Sequence, residues 1–171
     1  MKIFITGISG VGKSSVAEKL FQHGIPSIDI DNIEGLCRWV NNTTHEIKAW
    51  NPGMTQEWYE NHKYICDEEK LINLMNQYNG MVVVVGLPSN RHDLLHLFNK
   101  IFLLQCGEET FLKRIDERTS HDFGKNIREK ENILSWYKNF EEKMLEKGAI
   151  AINTEEPLND VVDKIIKHIK S

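Results

Sequence analysis

The eight residues Gly7-Ile8-Ser9-Gly10-Val11-Gly12-Lys13-Ser14 constrain this chain more than any other stretch. They fit the phosphate-binding loop pattern G-x-x-x-x-G-K-[ST] at every fixed position. The apolar run Lys2–Ile5 leads into the loop, and a helical pattern carrying Val16, Ala17, Leu20 and Phe21 leaves it. Strand, loop and helix in that order open a β-α-β unit, which commits the chain to parallel strands joined by helical crossovers. The glycines let backbone N–H groups turn inward around an anion, and the positive end of the helix beyond them favours the same charge. Gly7, Ser9, Gly10, Val11, Gly12, Ser14 and Ser15 are therefore expected to wrap the phosphates of a nucleotide. Lys13 is expected to reach the β/γ-phosphates, and the Ser14 hydroxyl to hold Mg²⁺.

The rest of the chain keeps the alternation. Apolar runs at Lys2–Ile5, Ser27–Ile30, Met81–Val85, Ile101–Leu104 and Ala149–Ile152 are separated by helical patterns. Met81–Val85 is apolar throughout, as a central parallel strand covered on both faces must be. Right-handed crossovers then place helices on both sides of one sheet. The expected class is α/β, a three-layer sandwich in a single domain over residues 1–171. Two segments are too long for a plain crossover. Residues 32–78 contain a polar loop, an Asn51-Pro52-Gly53 turn and a long helix predicted from about Thr55. Residues 119–126 form a polar stretch around Gly124 between two helices. Long insertions in compact domains usually bind or cover ligands.

Charge and cysteine content narrow the partners. A net charge of −4 and a pI near 6.0 argue against a nucleic-acid backbone or an anionic membrane, both of which require clustered cations. No apolar run approaches the ~18 residues of a membrane span. The sequence starts on a strand with no leader pattern, so a cytoplasmic protein is expected. Cys37, Cys66 and Cys106 are odd in number, lack metal-ligand spacing and read as reduced structural thiols.

Residues beyond the loop separate the kinds of nucleotide-binding protein. The best candidate for a metal-organising strand ends Val84-Val85-Gly86-Leu87-Pro88, without an acid, and no Asn-Lys-x-Asp guanine-reading tetrapeptide occurs. A switch-type GTPase does not fit. The acids stand instead after the second strand, in Ser27-Ile28-Asp29-Ile30-Asp31. Ligands of open parallel sheets bind outside the carboxyl ends of the strands, so Asp31 is expected to face the γ-phosphate. There it either accepts the proton of an attacking hydroxyl or helps hold Mg²⁺ through water; a helix N-cap is the structural alternative. Asp29, two residues earlier, is expected on the same face.

On Gly7–Ser14, Asp29/Asp31 and the Arg-rich segment Arg114–Arg128, the chain resembles the nucleoside and nucleotide kinase-like branch of P-loop proteins, which includes adenylate, shikimate and gluconate kinases. The resemblance implies a sheet in the order 2-3-1-4-5, counting the five main strands, and ATP with Mg²⁺ as donor. It also implies an acceptor-binding element after the second strand and a lid at about residues 119–126. Arg114 and Arg118, spaced i, i+4, share a helical face beside that lid. Arg118 is expected to stabilise the transferring phosphoryl group, Arg114 to bind the nucleotide, and Thr154, after the last strand, to mark the adenine end.

The acceptor side departs from each known pattern. The Gly-rich turn of shikimate kinases, the acid–Arg pair of nucleoside kinases and the arginine set of adenylate kinases are all missing. Asp29, Arg38, Trp58, His62 and Arg91 are the candidate acceptor ligands. For the aromatic residues, packing within the insertion is the alternative; for Arg38 and Arg91 it is surface ion pairing. The implied activity is ATP-dependent transfer of the γ-phosphoryl group to a small hydroxyl compound, of nucleoside, nucleotide, shikimate or gluconate type. A polynucleotide 5′-hydroxyl kinase and a non-catalytic ATP-binding regulatory module are the alternatives. The acceptor, the choice between ATP and GTP and the oligomeric state stay open.

Overall fold

The computed structural model describes residues 1–119 and 122–170. In chain order the elements are β1 (Lys2–Thr6), α1 (Lys13–Gln22), β2 (Ser27–Asp29), β3 (Cys37–Asn41), β4 (Ile47–Lys48), α2 (Gln56–Asn61), β5 (His62–Cys66), α3 (Glu68–Met75), β6 (Val82–Val85), α4 (Arg91–Leu94), β7 (Lys100–Gln105), α5 (Glu108–Glu117), α6 (Ile127–Glu146), β8 (Ile150–Asn153) and α7 (Leu158–Lys170). Of the expected lid, Ser120 and His121 lie outside the described residues.

The main sheet runs β2-β6-β1-β7-β8 with every pair parallel, which is the expected 2-3-1-4-5 order among its own five strands. Alternation of side chains makes it a three-layer structure. Ile3, Ile5, Val83 and Val85 join residues of α1, α5, α6 and α7 in one apolar cluster. Phe4, Val82 and Val84 point the other way, onto Ile28, Leu71, Met75 and Leu94. No residue of β6 is more than 1% exposed, which explains why Val82–Val85 shows no polar alternation.

The insertion departs from the sequence reading. The long helix predicted from about Thr55 does not form; α2 ends at Asn61, β5 comes directly after it, and α3 starts at Glu68. Two separate N-caps mark the two helices: Thr55 accepts from the Trp58 N–H, and Asp67 accepts from the Lys70 N–H. Between them His62–Cys66 is drawn into a three-stranded antiparallel sheet of order β4-β3-β5. Its register pairs Cys37 with Cys66, Trp39 with Tyr64 and Asn41 with His62, so these six share one face. Arg38, Val40, Lys63 and Ile65 occupy the other. Cys37 and Cys66 are free thiols, and their mutual hydrogen bond together with burial pushes the Cys37 thiol up.

The loop after β6 fastens this small sheet to the large one. Ser89 N–H donates to the Tyr64 carbonyl at 2.7 Å, and Tyr64 N–H returns a bond to Ser89 Oγ at 3.0 Å. The Asn90 amide accepts from Cys66 N–H and donates to Cys66 O, at 3.0 and 2.9 Å, and so imitates a neighbouring strand. A second correction concerns the acids. β2 stops at Asp29, and Ile30–Asn32 form a 3-10 turn in which Asp29 Oδ1 accepts from Asp31 N–H at 3.1 Å. Asp29 and Asp31 are therefore not successive residues on one strand face, because the cap turns the chain between them.

Candidate active site

The loop between β1 and α1 has a shape that glycine alone relaxes into. Gly10 and Gly12 have φ of 86° and 97°, in the left-handed region. A Cβ on Gly10 would also stand 2.5 Å from the Phe111 carbonyl oxygen, so α5 packs directly on the loop. α1 carries neither a side-chain N-cap nor an acid in its first turn, which leaves its leading N–H groups to an anion. Val11 is buried and anchors the loop, whereas Ser14 and Ser15 are exposed on the first turn of the helix.

Lys13 Nζ donates to the carbonyls of Gly7 and Ile8, at 2.8 and 2.9 Å. Burial lowers its pKa to about 8, partly offset by the carboxylates of Asp31 and Asp29. The Ser14 hydroxyl donates to Asp29 Oδ2 at 2.8 Å. Asp29, not Asp31, is thus the carboxylate beside the predicted metal-binding hydroxyl. Asp31 Oδ1 instead accepts from the Tyr64 phenol at 2.9 Å. Burial and the Asp31 charge push the Tyr64 phenol up, so it remains a donor.

Both arginines of α5 converge on this loop. Arg118, at the C-cap of α5, donates from Nη1 to Ser9 Oγ at 2.9 Å, while its buried Nε and Nη2 have no hydrogen-bond partner among the described residues. Burial lowers its pKa, which for a guanidinium leaves the charge in place. One turn earlier, Arg114 bridges the Val11 carbonyl and the segment after β8, reaching Thr154 Oγ1 at 3.2 Å and Thr154 O at 2.7 Å. Thr154 is itself held by its N–H on Gln105 O at 2.8 Å. Glu155, which no sequence motif marks, supplies the N-terminal contacts of α5 by accepting from Gly107 N–H and Thr110 Oγ1.

These groups fit the donor that the loop pattern implies. Buried guanidinium N–H groups without partners, a loop of inward N–H groups and a nearby ammonium suit a triphosphate. The Ser14–Asp29 pair suits Mg²⁺, which takes few protein oxygens and completes its shell with phosphates and water. Among the described residues no group of three or more His, Cys, Asp or Glu side chains is arranged to hold a metal by itself.

The acceptor candidates divide. Trp58 stacks on His62 at 4.3 Å and 13°, and Trp39 gathers Trp58, Tyr59 and Tyr64 at 4.9, 5.8 and 5.4 Å between ring centroids. All five rings are half-buried. Both nitrogens of His62 are engaged: Nδ1 lies 2.7 Å from Trp58 O and Nε2 3.4 Å from Asn41 Nδ2. Arg38 projects from the opposite face of β3 and pairs with Asp67 at 3.3 Å. The Arg91 guanidinium lies 4.7 Å from the Phe140 ring centroid and donates to Pro88 O. The structure therefore brings Trp58 into the ring cluster and turns Arg38 away from it, while Arg91 lies on Phe140 with its buried Nε unpartnered among the described residues.

A junction that the sequence does not announce joins the insertion to the segment leading into α6. Glu129, 1% exposed, accepts from the Tyr59 phenol at 2.8 Å and from Gly124 N–H at 2.6 Å. Trp50 donates to the same phenol at 2.8 Å, and Phe123 packs against both Trp50 and Tyr59. A cavity of about 360 Å³ separates the Pro52–Gly53 turn from Asp122, Lys125, Asn126 and Glu129.

Solved structures share this architecture. Deoxyadenosine kinase from M. mycoides with bound dATP is 16% identical, with a TM-score of 0.62 and 100% of both chains covered. A gluconokinase from Sinorhizobium meliloti 1021 is 20% identical, with a TM-score of 0.53, covering 95% of this chain and 87% of that one. TT1252 from Thermus thermophilus is 16% identical, with a TM-score of 0.58 over 99% of this chain and 95% of the other. At such identities the likeness is one of fold, that of the P-loop kinases. No curated protein matches the sequence. A family profile described as an AAA domain matches residues 3–135, a span that takes in the loop, both aspartates and both lid arginines. On that match the chain belongs to the AAA-domain family of P-loop proteins.

Proposed function

We propose that the protein is an ATP-dependent phosphotransferase that moves the γ-phosphoryl group to the hydroxyl of a small molecule. The observation that carries this reading is the Arg118 guanidinium, buried beside the loop, bonded to Ser9 and with two nitrogens unpartnered among the described residues. A binding module would need only the loop. An arginine with free N–H groups next to the γ-phosphate position is what phosphoryl transfer requires, because charge spreads over three oxygens in the transition state. Fold likeness to a nucleoside kinase and a gluconokinase supports the same class.

Each residue then has a task. The loop from Gly7 to Ser15 wraps the triphosphate, with Lys13 turning from the loop carbonyls to the β/γ-phosphates. Arg114 and Thr154 bound the base end of the nucleotide. Ser14 and Asp29 hold Mg²⁺, which supplies charge neutralisation across the phosphates when bound. Asp31 receives the proton of the acceptor hydroxyl as its oxygen bonds to the γ-phosphorus and the bond to ADP breaks. Tyr64 holds Asp31 in place by its phenol. Glu129, Tyr59 and Phe123 close the lid onto the insertion, excluding water that would otherwise accept the phosphoryl group.

Coupled measurement of ADP release tests this across nucleosides, nucleotides, sugar acids and small alcohols. Acceptor-dependent ADP formation is expected for at least one class. ATP binding without ADP formation from any of them would instead leave a non-catalytic module.

A further inference from the structure

We infer that Cys37 and Cys66 are a redox pair: hydrogen peroxide joins them in a disulfide, and that bond slows phosphoryl transfer by disturbing the tyrosine that holds Asp31. The pairing stands on strand geometry; its consequence for catalysis rests on the phosphotransferase reading. Cys37 and Cys66 lie directly opposite each other in the register of β3 and β5. The N–H and carbonyl of Cys66 are both taken by the Asn90 amide, so neither turns toward β3. The neighbouring position is of the other kind, because Asp67 N–H donates to Leu36 O at 2.9 Å. Cys37 and Cys66 are therefore a non-hydrogen-bonded pair, the kind whose Cα atoms approach to about 4.5 Å and whose side chains lie closer. Disulfides span Cα separations of roughly 4.4–6.8 Å, so the bond can close within the existing register. The two thiols already share a hydrogen bond. Cys106 stands instead beside Arg114 and Thr154, which resolves the odd cysteine count into one pair and one single thiol.

The surroundings set the chemistry. The hydrogen bond with Cys37 pulls the Cys66 thiol down against the effect of burial, and a thiolate is the form that attacks a peroxide. Cys66 is 2% exposed, but Cys37 is partly exposed and opens the pair to a molecule little larger than water. The Cys66 thiolate attacks one peroxide oxygen, the O–O bond breaks, and the hydroxide that leaves takes up the proton Cys66 gave to solvent. The Cys37 sulfur then attacks the sulfenic sulfur, an S–S bond forms, and the hydroxyl departs with the Cys37 proton as a second water. Two thiols are oxidised and one peroxide is reduced, with no further reactant. Tyr64 carries the effect to the site. It lies two residues from Cys66 on the same face of β5; its phenol shares a hydrogen bond with Cys37 and donates to Asp31 Oδ1 at 2.9 Å. A disulfide has no S–H and turns the Cys37 sulfur toward Cys66, so the phenol loses the thiol as a partner beside the carboxylate it holds.

Two readouts on the full chain decide the point. Reduced protein would be treated with hydrogen peroxide, alkylated with N-ethylmaleimide in denaturant and mapped by peptide mass spectrometry, with ADP release measured in parallel. The expected product has lost two hydrogens, takes up the alkylating agent at Cys106 alone and yields a linked Cys37–Cys66 peptide. Its kcat should fall about tenfold, the rate equivalent of one hydrogen bond, with ATP affinity unchanged, and dithiothreitol should restore it. The double variant Cys37→Ser/Cys66→Ser should turn over at one rate with and without peroxide. Thiols that stay free, a bond through Cys106 or between two chains, or oxidation only to sulfinic acid overturns the inference. A mapped Cys37–Cys66 bond that leaves kcat unchanged overturns it too, as does a double variant that still loses activity in peroxide. Reduced protein that releases no ADP with any acceptor, yet forms the mapped bond, upholds the pairing and sinks the phosphotransferase reading.

Discussion

The two halves of this site are built by opposite means. The proposed donor half centres on one continuous stretch, β1–loop–α1, shaped by glycines at φ 86° and 97° and an uncapped helix N-terminus, with Arg114 and Arg118 closing on it from α5. The insertion gathers its surface from β3, α2, β5 and the loop after β6, and it depends on side chains held by other side chains. Tyr64 reaches Asp31, Asn90 stands in for a strand, and Glu129 ties Tyr59 to Gly124. The lesson is one of separability. On the proposed function, donor binding should survive damage to the insertion, whereas acceptor binding should be lost with single changes in its network.

The largest effect is expected on the donor side. Arg118→Ala should lower kcat by about 10³-fold or more, the scale of a lost phosphate-clamping arginine, with ATP affinity changed far less. A loss confined to the ATP dissociation constant would reduce Arg118 to a binding residue. Next, Asp31→Asn should cut kcat by about 10²–10⁴-fold, as for a missing general base, and leave nucleotide binding by calorimetry unchanged. Asp29→Asn, by contrast, should raise the Mg²⁺ concentration needed for half-maximal rate. If the two variants exchange these signatures, the division of labour between the aspartates is reversed.

Glu129→Gln probes the junction. Tyr59 O–H and Gly124 N–H both need an acceptor, and burial pushes the Tyr59 phenol up so that it stays a donor. The amide offers one acceptor and sets a donor against the other. Denaturant unfolding should show a loss of about 1–3 kcal/mol, the cost of an unsatisfied buried group, and acceptor KM should rise while ATP affinity holds. An equal loss of ATP affinity would contradict the separability of the halves.

A smaller effect concerns pH. Lys13 in the free protein titrates at about 8, below its ordinary 10.5. ATP needs the ammonium, so affinity should fall as pH rises through 8. Folding stability should move the other way between 8 and 10.5, because there the unfolded chain holds a proton on Lys13 that the folded chain has released. ATP affinity that stays flat from about pH 7 to 9.5 would remove Lys13 from the phosphate contacts. Smallest of all is Arg38→Ala. Its ion pair with Asp67 is partly exposed and worth about 1 kcal/mol or less, and kcat/KM should change less than about twofold. A large fall would return Arg38 to the acceptor site.

The sheet order and the phosphate loop are legible in the sequence because each depends on local pattern. Val82–Val85 is covered on both faces and reads so, and the loop needs its glycines at fixed spacing. The insertion is not legible in the same way, because short strands that pair with distant partners leave weak local traces. One trace is present: Asp67 caps α3 in the middle of the helix expected from Thr55. The separate places of Asp29 and Asp31 escape the sequence for a related reason, since a three-residue turn after β2 is decided by a cap rather than by periodicity.

By itself, then, the sequence determined that parallel strands alternate with helices and that Gly7–Ser14 forms a glycine-shaped loop of the phosphate-binding pattern, because those properties live in neighbouring residues. Only the tertiary structure decided that Trp39, Trp58, Tyr59 and Tyr64 gather in one cluster, that Arg38 turns away from it toward Asp67, and that Glu129 is buried between Tyr59 and Gly124. Those outcomes depend on strand register and on contacts between residues far apart in the chain, such as the 70 positions that separate Tyr59 from Glu129. A register shift of one residue would have turned the aromatic rings outward and Arg38 inward.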